Sequence, residues 1–295
     1  MVSILIPVYN YDISQLLEKL EQELVGLDVT TEIIILDDCS TDERLKAQNK
    51  SRAKHHIYLE NNSNLGRVAT RLKLAKQAQF ECLLFLDADV LPVYPNFISK
   101  FLSVNSHKYD LIFGGIVYAK DPPESEYSLR WNYGKRREAK SLVERIKQPY
   151  ASIISQHFFI HKETAITIFT IMDLDRYGMD ILFTYLLKEH KVAILHIENP
   201  TEHLGLEKNR DYLVKTKRGL RTTYELETKG FIPKNYRPIQ QKSNLISTLF
   251  LAKPLLYFIS KYNTVMADRL CSKNPNLLIF DLYKLYHYLQ LKSNS

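Results

Sequence analysis

The stretch ECLLFLDADVLPVYP, residues 81–95, carries the reading of the fold. It runs an apolar segment, Cys82 to Leu86, straight into two carboxylates one residue apart, Asp87 and Asp89. An unbroken apolar run predicts a strand buried on both faces, as in a parallel sheet covered by helices. Side chains at i and i+2 of a strand point to the same side, so the two acids repel unless a cation lies near. A divalent cation meets that need, because hard cations prefer carboxylate oxygens and keep positions open for substrate phosphates. The alternative is a solvated turn at the strand end, where Asp is common.

Outward from this stretch the first half alternates strand and helix. VSILIPV (2–8) reads as a strand. In DISQLLEKLEQELVGL, Leu16, Leu17, Leu20, Leu24 and Val25 recur at helical spacing behind a box-like Asp12 and Gln15. TEIIILDD (31–38) is the next strand, followed by a polar helical stretch over 40–54 and a short strand at HHIYLE (55–60). A helix over about 66–79 keeps Val68, Leu72 and Ala75 on one face. Such alternation predicts an α/β fold with a mostly parallel central sheet, whose ligands sit beyond the carboxyl ends of the strands. Asn10, Asp37, Asp38, Asp87 and Asp89 all fall at those ends.

The second half offers strands at 111–117, 153–160 and 192–197, and a helix over about 178–190. PPESEYSLRWNYGKRREAK (122–140) reads as a loop leading into a basic helix. From 243 the character changes to LISTLFLAKPLLYFISKY (245–262) and NLLIFDLYKLYHYLQL (276–291), the latter with a narrow polar stripe of Asp281, Lys284 and His287.

Bulk properties set limits. The 295 residues are 45% hydrophobic and 25% charged, ample for a large core, with a net charge of +7 that favours anionic partners. Three cysteines, Cys39, Cys82 and Cys271, show no metal-ligand spacing. The start MVSILIPVYNYD lacks the basic and long apolar regions of a secretion signal. The longest apolar stretch, Leu249 to Ile259, is interrupted by Lys253 and Pro254 and is shorter than a span of about 20 residues. The expected compartment is the cytoplasm.

Two further motifs flank the acids. In IIILDDCSTDE, Ser40 to Asp42 read as a turn and helix cap, whereas the strand-end pair Asp37 and Asp38 is placed to accept the imide N–H of a pyrimidine base. In NNSNLGRVATRL, Asn64 and Gly66 form a turn, and Arg67 and Arg71 lie four apart on one helical face, facing either solvent or an anionic nucleotide.

In this order, VSILIPVYN, EIIILDDCSTDE, NSNLGRVATRL and CLLFLDADV resemble the nucleotide-binding half of glycosyltransferase family 2, which has the GT-A fold. The family's usual forms are a strand ending in Pro-x-Tyr-Asn, an Asp-Asp-x-Ser-x-Asp turn, Asn-x-Gly followed by Arg, and Asp-x-Asp. The resemblance implies a bacterial inverting enzyme using a nucleoside-diphosphate sugar, with UDP ahead of GDP or dTDP. Pro7, Tyr9, Asp37, Asp38 and Arg71 would border base and ribose, Asp87 with Ala88 the ribose or metal, and Asp89 would ligate Mn2+ or Mg2+. Where the family has Arg-Asn-x-Gly, this chain reads Arg71-Leu72-Lys73-Leu74.

The same resemblance assigns the second half. FGGI (113–116) looks like the family's glycine-containing strand beside the acceptor, through Gly115. DLDRYGMDILFTYLL (173–187) is similar to the segment usually reading Gly-x-Glu-Asp, which makes Asp180 the catalytic base and puts Met179 at the Glu position on the acceptor side. An acid interacting with a helix N-terminus is the alternative for Asp180. His203, in HIENPTEHLGLE, would complete the metal site, whereas His196 reads as a core residue. Trp131 with Arg130, Lys135, Arg136 and Arg137 suits a sugar platform or an anionic acceptor, or else anchors a loop.

The expected organisation is a GT-A domain over 1–242, divided into a nucleotide-binding half (1–90) and an acceptor half (91–242), with an amphipathic helical extension over 243–295. That extension would touch the inner face of the membrane peripherally, pack on the catalytic domain, or pair with a second subunit as a homodimer. The expected reaction is metal-dependent inverting hexosyl transfer to a glycan or lipid-linked acceptor in polysaccharide assembly. Alternatives are a sugar nucleotidyltransferase, disfavoured by the absence of a Gly-rich basic loop in PVYNYDISQ, and an inactive nucleotide-sugar binder. A nucleic-acid partner is not expected, since the basic residues are dispersed and carboxylates crowd the ligand rim.

Overall fold

In the computed structural model, which describes residues 1–104, 108–172 and 177–293, apolar strands and amphipathic helices alternate as expected. β1 (Val2–Val8), α1 (Ser14–Leu24), β2 (Thr31–Asp37), α2 (Glu43–Arg52), β3 (Ile57–Glu60), α3 (Arg67–Gln77) and β4 (Cys82–Leu86) come first. They are followed by β5 (Val90–Pro92), α4 (Phe97–Val104), β6 (Leu111–Phe113), β7 (Ile116–Val117), α5 (Ser128–Tyr133) and α6 (Leu142–Lys147). Next are β8 (His157–His161), α7 (Lys162–Ile171), α8 (Asp180–Glu189), β9 (Ile194–His196) and β10 (Thr201–His203). Helices α9 (Asn209–Thr228), α10 (Pro238–Thr248), α11 (Ala252–Ser260), α12 (Asn263–Leu270) and α13 (Leu277–Ser293) end the chain.

The chain divides into two compact units, one of Met1–Ala119, Glu138–Asp175 and Phe183–Gly205, the other of Lys120–Arg137, Arg176–Leu182 and Leu206–Ser295. The boundary expected after residue 242 falls inside α10, within the second unit.

In the first unit a seven-stranded sheet runs β3-β2-β1-β4-β8-β6-β9. β1 pairs in parallel with β2 and β4, and β2 with β3, while β8 runs antiparallel to β4 and β6. β1 is buried along nearly its whole length, and Leu16, Leu17 and Leu20 of α1 complete the core with Phe97, Ile98 and Phe101 of α4. Pro7, which has no N–H to donate, sits where β1 pairs with β2 alone. Asp42 caps α2 by accepting from the Leu45 amide at 3.0 Å, as the sequence predicts. The box expected at α1 is absent: Asp12 accepts from the Ser14 amide at 2.8 Å, and Ile13 stands at the cap without a side-chain bond.

The run 111–117, expected as one strand, is split between two sheets. β6 joins the large sheet and β7 a small one ordered β5-β10-β7. The break lies at Gly114 and Gly115, where a Cβ on Gly114 would come 2.0 Å from the Asn199 carbonyl oxygen and Gly115 has φ +92°.

His157, fully buried among the rings of Phe97, Phe101 and Phe113, lies 2.9 Å from the Thr201 hydroxyl through Nδ1. Burial, and then the charge of Arg145, push its pKa down to about 3. Above the unfolded value of about 6.5 neither state binds the proton; below it only the unfolded state does, so stability falls with pH, by roughly 1.4 kcal/mol per unit for one such group. His157→Asn should therefore flatten the acid limb of a melting-temperature profile between about pH 6.5 and 4. Parallel profiles for the two proteins would contradict this.

The second unit packs Leu129 of α5 with Tyr212 and Leu213 of α9, Ile259 of α11, Leu270 of α12 and Phe280 of α13. Its buried Glu227 accepts from Tyr288 and, at 2.9 Å, from Gln240 Nε2.

Candidate active site

β4 ends at Leu86, so Asp87 and Asp89 do not stand side by side on a strand as expected. The backbone turns through Ala88 and Asp89 into β5, and each acid has its own cationic neighbour. Asp87 is buried, with Oδ1 2.6 Å from the guanidinium of Arg71 and Oδ2 3.9 Å from that of Arg67. Arg71 is itself buried on α3, also donates to the Ser155 carbonyl, and lies over the Phe158 ring. An ion pair this deep holds because each charge has its partner, with Arg71 also donating to the Ser155 carbonyl. Of the two arginines expected on one helical face, Arg71 is turned inward to Asp87 and Arg67 stays exposed. Ala88 is half-buried against the main core.

Asp89 points elsewhere. β10 lies beside β5 with His203 opposite Val90, and this register brings His203 Nε2 to 3.4 Å from Asp89 Oδ2. Leu204 donates its amide to the Asp89 carbonyl at 2.8 Å, and a Cβ on Gly205 would sit 2.0 Å from Oδ2. Burial opposes the charged form of Asp89, but His203 and then Arg67 outweigh it and hold the carboxyl below its usual range. His203 is buried, its ring 5.4 Å from that of Tyr118, and its Nδ1 has no hydrogen-bond partner. Burial and the nearby charge of Asp89 push the Tyr11 hydroxyl up.

The remaining rim residues brace loops. Asp37 is buried, accepting from the Ser40 amide at 2.6 Å and from the Tyr58 hydroxyl at 3.2 Å. Asp38 accepts from Asn61 Nδ2 and the amides of Leu65 and Gly66, all within 2.9 Å, and so shapes the turn before α3. Asn10, at φ +48°, ties the end of β1 to the 40–42 turn through Thr41 and Asp42. Tyr9 beside it is 47% exposed, open to a flat ligand. Gly115, expected beside an acceptor, makes its close approach to Arg145 instead: a Cβ there would meet the guanidinium at 2.8 Å. Arg145 is buried and donates to the carbonyls of Phe113 and Ile197.

Trp131, Met179 and Asp180 belong to the second unit. Trp131 lines a cleft of about 1190 Å³ with Asn132, Arg136 and Lys273, and Lys135 Nζ lies 4.6 Å from its ring. Met179 is buried, and Asp180 opens α8 as the acid of its first turn. Residues 173–176 of the motif that precedes them lie outside the described residues.

The structure brings Asp89 and His203, both singled out in the sequence, next to each other, and adds Tyr11 and Gly205 beside them and Arg145 beside Gly115, none of which the sequence singles out. Gly205, two residues after a loop histidine, was the one signal available for the room that Asp89 needs.

Among the described residues no group of three or more His, Cys, Asp or Glu side chains encloses a metal. Asp89 Oδ2 and His203 Nε2 nonetheless offer a carboxylate oxygen and an imidazole nitrogen 3.4 Å apart. That donor pair fits a Mn2+ or Mg2+ ion that takes few protein ligands and completes its shell with phosphate oxygens.

The model of the family described as Glycosyl transferase family 2 matches residues 3–169. Over 93 residues the chain is 37% identical to the poly(ribitol-phosphate) beta-N-acetylglucosaminyltransferase TarS of Staphylococcus aureus, a match covering 30% of this chain and 16% of that protein. Among solved structures, the mannosyltransferase PcManGT from Pyrobaculum calidifontis, in complex with GDP-Man and Mn2+, superposes with a TM-score of 0.59 at 13% identity, over 99% of this chain and 86% of that one. Glucosyl-3-phosphoglycerate synthase from Mycobacterium tuberculosis, in complex with Mn2+, UDP and glucosyl-3-phosphoglycerate, gives 0.52 at 15% identity, over 80% and 81% of the two chains. At these identities the structural likeness shows the fold alone, a GT-A-type α/β architecture.

Proposed function

Because the chain belongs to glycosyl transferase family 2, whose model covers more than half of it, we propose that it moves a sugar from a nucleoside-diphosphate donor, foremost a UDP-sugar, to a hydroxyl of a glycan or lipid-linked acceptor. The setting is the assembly of a bacterial surface polysaccharide. One observation carries this reading: an ionised Asp89 held 3.4 Å from a buried His203, in the turn that follows the central strand β4. The 93-residue likeness to an N-acetylglucosaminyltransferase makes UDP-N-acetylglucosamine the first donor to try.

Asp89 and His203 would hold a divalent cation, which supplies positive charge opposite the departing diphosphate. Tyr9 would lie against the base, while Asp38 and the Asp87–Arg71 pair keep the surrounding turns in shape. Asp180 would accept the proton of the acceptor hydroxyl as that oxygen bonds to the anomeric carbon. The bond from that carbon to the diphosphate breaks, its electron pair leaves with the diphosphate oxygen, and attack from the opposite face inverts the centre.

Incubation with UDP-N-acetylglucosamine, UDP-glucose and GDP-mannose, with and without Mn2+, tests the proposal. Metal-dependent release of nucleoside diphosphate, with the freed sugar inverted by proton NMR, is expected. A retained configuration, or no turnover and no binding of any of these donors, would overturn it.

Gly205 gives a sharper check. The methyl of Gly205→Ala would displace the Asp89 carboxylate from its place beside His203. Mn2+ affinity should fall roughly ten- to a hundredfold, as when a group that orients a ligand is lost. The melting temperature should change little, and unchanged Mn2+ affinity would count against the site.

A further inference from the structure

In the second unit, α10 is turned the wrong way round for a helix facing water. Its buried residues are Gln240 and Ser243, whereas Leu245 and Leu249 are 60% and 55% exposed. Gln240 faces inward because it bonds to buried Glu227 and to the Pro233 carbonyl. A surface helix normally directs its apolar stripe at the core.

The apolar surface continues across the 110° bend into α11. Phe250 at the bend is 90% exposed and has φ +58°, a left-handed conformation that bulky residues adopt only with strain. A glycine or asparagine there would relieve the backbone, so folding alone does not explain a phenylalanine. Beyond it Tyr257 and Phe258 are 68% and 61% exposed, and only Ile259 of α11 is fully buried. Patches of this kind on monomeric proteins mark interaction sites.

Charge identifies the partner. Residues 228–267 contain six Lys or Arg and no Asp or Glu, so the rest of the chain, with 34 basic and 33 acidic residues, is nearly neutral. Lys242 and Lys253 lie within the elbow and Arg237 and Lys261 at its two ends, with no acid among residues 228–267. Lys242, Lys253 and Lys261 are exposed on it, and Lys261 Nζ lies 4.3 Å from the Tyr257 ring. Aromatic residues interleaved with lysines suit the headgroup layer of a bilayer, where rings embed and long cationic stems reach the surface. A second copy of the chain would instead bring two strongly positive faces together.

We propose that the α10–α11 elbow docks the protein on an anionic lipid surface, with Phe250 and its neighbours inserted shallowly and the lysines meeting lipid phosphates. Among the described residues no single helix is long and apolar enough to cross a membrane; α10 and α11 reach that length only together, across a 110° bend, and the exposed lysines on both arms favour a surface position over a span. This inference does not depend on the proposed transfer reaction.

Flotation of the full chain with phosphatidylcholine vesicles, with and without phosphatidylglycerol, tests it. Binding should require phosphatidylglycerol and weaken as salt is raised. Leu249→Ser combined with Phe250→Asn should lower partitioning about tenfold or more, since apolar insertion and charge are both needed. Asn tolerates the left-handed backbone, so this variant should remain folded. Lys253→Glu with Lys261→Glu, which keeps every apolar residue, should also lose binding. Equal partitioning of wild type and variants, or no binding of wild type to anionic vesicles, would overturn the proposal. A wild-type dimer that the apolar variant fails to form would do the same by assigning the patch to a second copy.

Discussion

Asp180→Asn should slow turnover of the donor by about 10²- to 10⁴-fold while leaving nucleotide affinity unchanged, the pattern expected when a general base is lost. Asn keeps the size and the hydrogen-bonding capacity of the side chain at the start of α8 but cannot accept the acceptor's proton. If Asp180 served only the helix N-terminus, the change would cost a fraction of a kcal/mol in stability and little in rate. Single-turnover kinetics beside a nucleotide titration separate the two readings. A loss of affinity with the chemical step intact would move Asp180 from base to binding group.

Asp89→Ala should be comparably damaging, lowering transfer on the order of 10³-fold, since in the proposed site it removes the carboxylate that would hold the charge facing the diphosphate. Its effect on folding should be small. The side chain is about 30% exposed, and His203 beside it also packs against the Tyr118 ring. Donor turnover with and without Mn2+ measures this. A variant that kept metal-stimulated turnover would exclude Asp89 from the site.

The sheet was legible because its strands declare themselves by burial on both faces. Cys82–Leu86 is an unbroken apolar run and Val2–Val8 is interrupted only by Ser3 before Pro7, lengths that suit strands better than helices. The acids at the strand ends were legible for the same reason, since a charge directly after a buried strand must find a partner. What the partner would be was not. Arg71 reaches Asp87 from sixteen residues earlier, and His203 reaches Asp89 only because β10 lies against β5, a pairing more than a hundred residues apart in sequence. Gly114 and Gly115 read as room for a ligand, whereas their neighbours are the Asn199 carbonyl and Arg145, long-range contacts that leave no trace in FGGI itself. Arg145, which nothing in its local sequence marks out, is nearly fully buried, donating to the carbonyls of Phe113 and Ile197. For α10 the sequence left membrane, domain and subunit contact open; the bond from Gln240 to buried Glu227 turns Leu245 outward.

Isothermal titration of UDP into the full chain, with and without Mn2+, for wild type and Asp89→Ala, puts the sugar-nucleotide site to the test. Saturable binding that needs the metal and disappears in Asp89→Ala is the predicted result. Absence of binding for UDP, GDP and dTDP under every metal condition, or metal-dependent binding undiminished in the variant, would contradict it.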